Sequence, residues 1–115
     1  MVETITRTEL KAALDEGREI TLVEALSPQA YEEAHLSGAV NIPKDRAREL
    51  APKLLPDKDA EIVVYCSNAA CQASPQLAQA LTGLGYTHVR DYEAGKQDWI
   101  EAGLPVEKGA PAEVG

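Results

Sequence analysis

Four consecutive apolar residues, Ile62-Val63-Val64-Tyr65, constrain this chain more than any other feature. A strand points its side chains alternately to two faces, so one that is apolar throughout needs cover on both. That is the pattern of a central strand in a parallel sheet. The residues after it agree. Cys66 ends the run, and a loop of mostly small residues, Ser67-Asn68-Ala69-Ala70-Cys71, comes next. Leu77, Ala80, Leu81 and Leu84 then recur at helical spacing.

The same alternation runs along the chain. Thr4-Ile5 reads as a short strand, and Thr8 as the cap of a helix from Glu9 to Glu16 that stops at Gly17. Ile20 to Val23 is a second strand. Ser27-Pro28 opens a short helix, with serine as cap and proline in the first turn. Gly38 to Pro43 reads as turn, strand and stop. Asp45 begins a helix with Ala47, Leu50, Ala51 and Leu54 on one face, and a further helix spans about Ala73 to Gly83. His88-Val89-Arg90 is a last strand and Gly95 to Ala102 a last helix. Strand and helix in alternation predict an α/β fold, a parallel sheet flanked by helices on both faces. Ligands of such sheets bind at the carboxyl ends of the strands. Cys66 stands at that end of its strand.

Composition narrows the function. The chain has 115 residues, 44% of them hydrophobic, which suits one domain with one core. Phenylalanine is absent, so the core is aliphatic. A net charge of -8 argues against nucleic acid and anionic membrane as partners. No apolar run is long enough to span a bilayer and no secretory leader is evident, so a cytoplasmic protein is expected. Two cysteines and two scattered histidines lack the spacing of a metal site, and no cofactor is implied.

Cys66 has two readings. A helix start presents amides without intrahelical acceptors and the positive end of its dipole, which favour a thiolate. A buried cysteine that merely ends a strand is the other. Cys71 likewise reads as a resolving thiol, able to form an internal disulfide with Cys66, or as a small apolar residue that fits the turn. His35 precedes a turn and reads as structural rather than as a base, and Trp99 as the anchor of the last helix.

Three segments carry a family resemblance. The first runs from Leu22-Val23-Glu24 through Pro28, Tyr31 and His35 to Gly38-Ala39-Val40-Asn41-Ile42-Pro43. The second is Val63-Val64-Tyr65-Cys66, and the third is Gly95-Lys96-Gln97-Asp98-Trp99 with Ala102-Gly103-Leu104-Pro105-Val106. Together they resemble a single-domain rhodanese, a sulfurtransferase. The resemblance implies a rhodanese-like domain over residues 1–108, with a central parallel sheet of about five strands, and the residues after it, 109–115, read as a mobile tail. It implies that Cys66 carries sulfane sulfur as a persulfide, taken from a small persulfide, polysulfide or thiosulfate donor. The acceptor would be a thiol or a sulfur-accepting protein. It also implies that Ser67, Asn68, Ala69, Ala70, Cys71 and Gln72 form the loop around that sulfur, with backbone amides turned inward.

The chain departs from the family pattern in ways that bear on function. No residue from Ile62 to Val89 is charged, taking His88 as neutral, where many rhodaneses carry arginine or lysine in the loop. Arg46, Arg48 and Arg90 are the candidates to supply a cation from outside. A neutral loop predicts weak use of the thiosulfate dianion relative to persulfide donors. Glu24 and Leu26 stand where aspartate and arginine are usual, and Cys71 where arginine or threonine is frequent. Related folds hydrolyse phosphate esters with a C-x5-R loop, but Gln72 occupies the arginine position, which disfavours that chemistry. A sulfur carrier or redox-sensing binding module built on Cys66 and Cys71 is the alternative to an enzyme.

Overall fold

A computed structural model describes residues 2–110. Of the expected tail, residues 111–115 lie outside them. Five strands form a parallel sheet in the order β1-β6-β5-β2-β4: β1 (Glu3–Thr4), β2 (Ile20–Glu24), β4 (Val40–Asn41), β5 (Glu61–Tyr65) and β6 (His88–Tyr92). The apolar run is β5, the middle strand, paired with β2 on one side and β6 on the other. Two-residue strands β3 (His35–Leu36) and β7 (Val106–Glu107) form a separate antiparallel ribbon.

The alternation of β5 divides the core. Ile62, Val64 and Cys66 face a cluster built with Ala47, Leu50 and Ala51 of α3 (Ala47–Leu54) and Leu77, Ala78 and Leu81 of α4 (Ala73–Gly83). Val63 and Tyr65 face the opposite cluster. It holds Leu10 of α1 (Arg7–Asp15), Tyr31 of α2 (Pro28–Glu33) and Trp99 of α5 (Gly95–Glu101). Helices therefore cover both faces, as the run requires.

Several boundaries differ from the sequence reading for identifiable reasons. Thr6, not Thr8, caps α1, because Thr6 and Glu9 form a reciprocal capping box that only this spacing allows. Residues Lys44–Arg46 form a single 3-10 turn before α3. β6 continues past Arg90 to Tyr92, since Asp91 and Tyr92 pair with Val64 and Tyr65. The ribbon of β3 and β7 leaves no mark in the sequence, because each strand spans two residues and carries no period of its own.

Candidate active site

Cys66 leaves β5 at its carboxyl end, between the sheet and the start of α4. It is 1% exposed and is joined to Cys71 by a disulfide, with 6.3 Å between the Cα atoms. Cys71 is half-buried, and residues 68–70 between them are exposed. The loop turns on Asn68. Its carbonyl accepts from Cys71 N (3.1 Å) and its Oδ1 accepts from Ala70 N (3.0 Å). Two of the amides expected to surround the sulfur are thus engaged within the loop in this disulfide state. Gln72 is exposed and ends the loop at the start of α4 without a side-chain cap.

The near half of the loop is held from another element. Lys96 N donates to Cys66 O and Gln97 N to Ser67 O, both at 2.8 Å, so the first amides of α5 carry the loop carbonyls. Gly95 makes this approach possible. Its φ is +80°, and a Cβ there would lie 2.8 Å from Cys66 O and 2.9 Å from Asn68 N.

On the α4 side, Ser74 is 1% exposed and its Oγ lies 3.3 Å from Cys66 Sγ. A disulfide sulfur carries no proton, so the hydroxyl is the donor. Beyond Ser74 is Asp91 of β6, 4% exposed, whose Oδ1 has no hydrogen-bond partner among the described residues. Burial raises the Asp91 carboxyl above its ordinary range, the nearby Ser74 hydroxyl opposes this, and Glu93 adds to it.

Behind the loop, on the opposite face of the sheet, lies a buried ion pair. Glu24 is fully buried at the end of β2. Its carboxylate accepts from Tyr65 Oη (2.9 Å) and from Lys96 Nζ (3.2 Å). Lys96 Nζ also donates to the carbonyls of Ala30 (3.0 Å) and Ala34 (2.7 Å), so all three of its protons are used. Burial raises the Glu24 carboxyl, and Lys96 and Tyr65 oppose this. The Tyr65 hydroxyl is pushed far above its ordinary range by burial and by Glu24. Glu24 is thus paired with Lys96, while Leu26 packs against the cluster that contains Cys66. Asn41 secures this end of β2, donating to the carbonyls of Glu24 (3.1 Å) and Leu26 (2.8 Å).

The remaining sequence candidates sit elsewhere. Arg46 pairs with Glu49, and Arg90 reaches Glu61 at the opposite end of the sheet. Arg48 lines a surface groove with Ala80, Gly83 and Leu84, beside the far half of α4. His35 stacks on Tyr31 (3.7 Å between ring centroids), with Nδ1 2.8 Å from Tyr31 O. Since a carbonyl only accepts, Nδ1 carries the proton, and the ring braces the turn. The Tyr31 hydroxyl bonds Ala39 O on the same turn. Trp99 donates to Pro105 O (2.9 Å) and meets Tyr92 edge-on, which anchors α5.

Sequence reasoning misses Gly95, Lys96 and Asp91 as parts of the site. Gly95 and Lys96 stand inside the third motif with no separate signal, and Asp91 reaches Cys66's side of the sheet through pairing rather than nearness in sequence. The arrangement is a dithiol–disulfide pair whose buried sulfur meets a neutral hydroxyl.

A family model, the rhodanese-like domain, matches residues 6–102. The chain is 36% identical over 109 residues to the HTH-type transcriptional regulator Rv0324 of Mycobacterium tuberculosis. That match covers 95% of this chain and 46% of the regulator. It is 35% identical over 69 residues to the thiosulfate sulfurtransferase PspE of Escherichia coli, covering 60% of this chain and 64% of that enzyme. The chain therefore spans less than two thirds of either relative. Among solved structures, the BH2092 protein of Bacillus halodurans superimposes with a TM-score of 0.84 at 27% identity, over 92% of this chain and 77% of that one.

Proposed function

The chain belongs to the rhodanese-like domain family, and on that premise we propose that it moves sulfane sulfur through a persulfide on Cys66. Sulfurtransferase chemistry is supported at the level of the family by relatives such as PspE. The observation that carries the finer reading is the placement of Cys66 at the carboxyl end of the central strand, within bonding distance of a second, more accessible cysteine.

The cycle begins with reduction. An incoming thiolate attacks the sulfur of Cys71, the more exposed of the two cysteines, and Cys66 leaves as thiolate. A second thiol completes the reduction and frees Cys71. The Cys66 thiolate then attacks the outer sulfur of a persulfide, R–S–SH, and the thiolate RS⁻ departs. An acceptor thiolate takes the outer sulfur and regenerates Cys66. Where no acceptor arrives, Cys71 attacks the inner sulfur, releases hydrosulfide and restores the disulfide. The loop from Ser67 to Gln72 carries no cationic side chain, so donors of low charge are favoured over thiosulfate.

A redox-sensing module is the second reading. The Cys66–Cys71 disulfide favours it, as does the likeness to a transcriptional regulator. One experiment tests the first reading. Reduced protein is incubated with polysulfide or thiosulfate and weighed. The expected product carries one added sulfur on Cys66, absent in Cys66→Ser. Reduced protein that gains no sulfur from either donor refutes it. Turnover with a small thiol acceptor, against strictly stoichiometric release, separates enzyme from sensor.

A further inference from the structure

Alternation along paired strands puts Asp91 on the same face as Cys66. Asp91 pairs with Val64, whose side chain faces the α4 cluster, and Cys66 is the next residue of the chain on that face. Ser74, in the first turn of α4, lies between them with its hydroxyl 3.3 Å from Cys66 Sγ. In the disulfide state the single Ser74 proton is shared between Cys66 Sγ and the Asp91 side chain, and no second donor is at hand. The Asp91 carboxyl then has no donor for Oδ1 among the described residues, although it is 4% exposed. A buried carboxyl oxygen without a partner is costly, and structures rarely keep one without a use.

We propose that Asp91 is a positioning residue for Cys66, which accepts through the Ser74 hydroxyl the proton that the Cys66 thiol gives up. This rests on the reading of Cys66 as the reactive thiol. On reduction Cys66 gains a proton and donates S–H to Ser74 Oγ. Ser74 turns its own proton to the Asp91 carboxylate, and the orphaned oxygen is satisfied. When Cys66 ionises, the S–H bond breaks and its proton passes to Ser74 Oγ. The former Ser74 proton forms an O–H bond with Asp91. The products are Cys66 thiolate, accepting from Ser74, and neutral Asp91, donating to Ser74. Charge is conserved, and no other acid or base takes part.

A desolvated carboxylate is a stronger base than one in water, and Cys66, 1% exposed, is desolvated too, so the exchange passes one charge between two buried groups. The groups that bear on Asp91 are Glu93, two residues on, and Ser74 on α4. The strand on its other side presents Thr4, which is uncharged. No lysine, arginine or histidine among the described residues competes for the carboxylate by ion pairing. The relay couples the two ionisations and does not replace a cation, since the ionised carboxylate opposes the thiolate.

The test measures ionisation, not sulfur transfer, so it can fail or succeed independently of the persulfide reading. Cys71→Ser keeps Cys66 as a free thiol, and iodoacetamide alkylation rates are followed against pH. The expected profile has two coupled ionisations. Asp91→Asn, nearly isosteric, leaves one, with the Cys66 midpoint lowered by about one unit, roughly tenfold more thiolate at a fixed pH below it. When Ser74→Ala is also present, the larger part of that shift is lost. An unchanged midpoint in Asp91→Asn, or a shift of which more than half survives Ser74→Ala, overturns the relay. A measurement on the unsubstituted chain needs no variant to fold. The Asp91 carboxyl carbon resonance is titrated in the disulfide and the dithiol forms. A second inflection coincident with Cys66 ionisation is expected in the dithiol form alone, and identical curves overturn the proposal.

Discussion

Replacing Gly95 with alanine isolates the contact that holds the active-site loop. The added Cβ would sit 2.8 Å from Cys66 O, 2.9 Å from Asn68 N and 2.9 Å from the Ser67 carbonyl carbon. All three are backbone atoms, so no side chain can swing aside. Comfortable carbon contacts lie at roughly 3.5–4.0 Å, so α5 and the loop must part. Separation weakens the bonds from Lys96 N and Gln97 N to the loop carbonyls. Three costs combine. A left-handed φ costs an L-residue about 1 kcal/mol. Overpacking adds about 1–3 kcal/mol. Each weakened bond adds up to about 1 kcal/mol. The expected loss is about 2–6 kcal/mol, a fall in Tm on the order of 10–25 °C for a chain this size. Gly17 supplies the control, with the same φ of +80° and nothing within 4 Å of its Cβ position. Gly17→Ala should therefore cost only the conformational share, about 1 kcal/mol. Urea unfolding of both variants in the disulfide form makes the comparison. Equal losses at the two positions would refute the close-packing argument, since they share φ and differ only in neighbours.

The buried groups give further expectations. Lys96→Met leaves Glu24 as an unpaired buried charge and should cost about 3–5 kcal/mol, whereas adding Glu24→Gln should recover more than half of it in a double-mutant cycle. Glu24 and Asp91 are both raised by burial from ordinary values of 4.5 and 3.8, so the folded state holds more protons than the unfolded one just above that range. Their contribution is therefore full below the unfolded values and is lost as pH rises through the folded ones. Denaturant titrations should show that Asp91→Asn flattens this fall. Cys71→Ser should still take sulfur on Cys66 but accumulate the persulfide instead of releasing hydrosulfide, as mass spectrometry of a time course would show. Steady-state assays should give thiosulfate a kcat/KM about tenfold or more below that of a small persulfide, the deficit of at least one charge-assisted hydrogen bond.

The sheet is legible where burial is written into neighbouring residues. Ile62 to Tyr65 can satisfy no environment but a strand covered on both sides, and the apolar spacing of α4 marks it from Ala73 to Gly83, as observed. Cys66 and Cys71 are legible because a loop after such a strand has few residues to offer. What escapes depends on distance in sequence. Lys96 reaches Glu24 across 72 positions, and Asp91 meets the α4 side only through its register with Val64. A glutamate at the end of a buried strand calls for a partner, yet nothing near Glu24 in the sequence names Lys96. The Thr6–Glu9 box is present in the sequence, but the apolar spacing that begins at Leu10 draws the cap two residues too late, to Thr8.

Anchoring by α5 reaches only the carbonyls of Cys66 and Ser67. Rearrangement on opening of the disulfide is therefore expected in the stretch beyond Ser67. The backbone of the nucleophile is moored to a different helix from the one its companion leads into, so the reactive sulfur is expected to keep one address through both halves of a redox cycle.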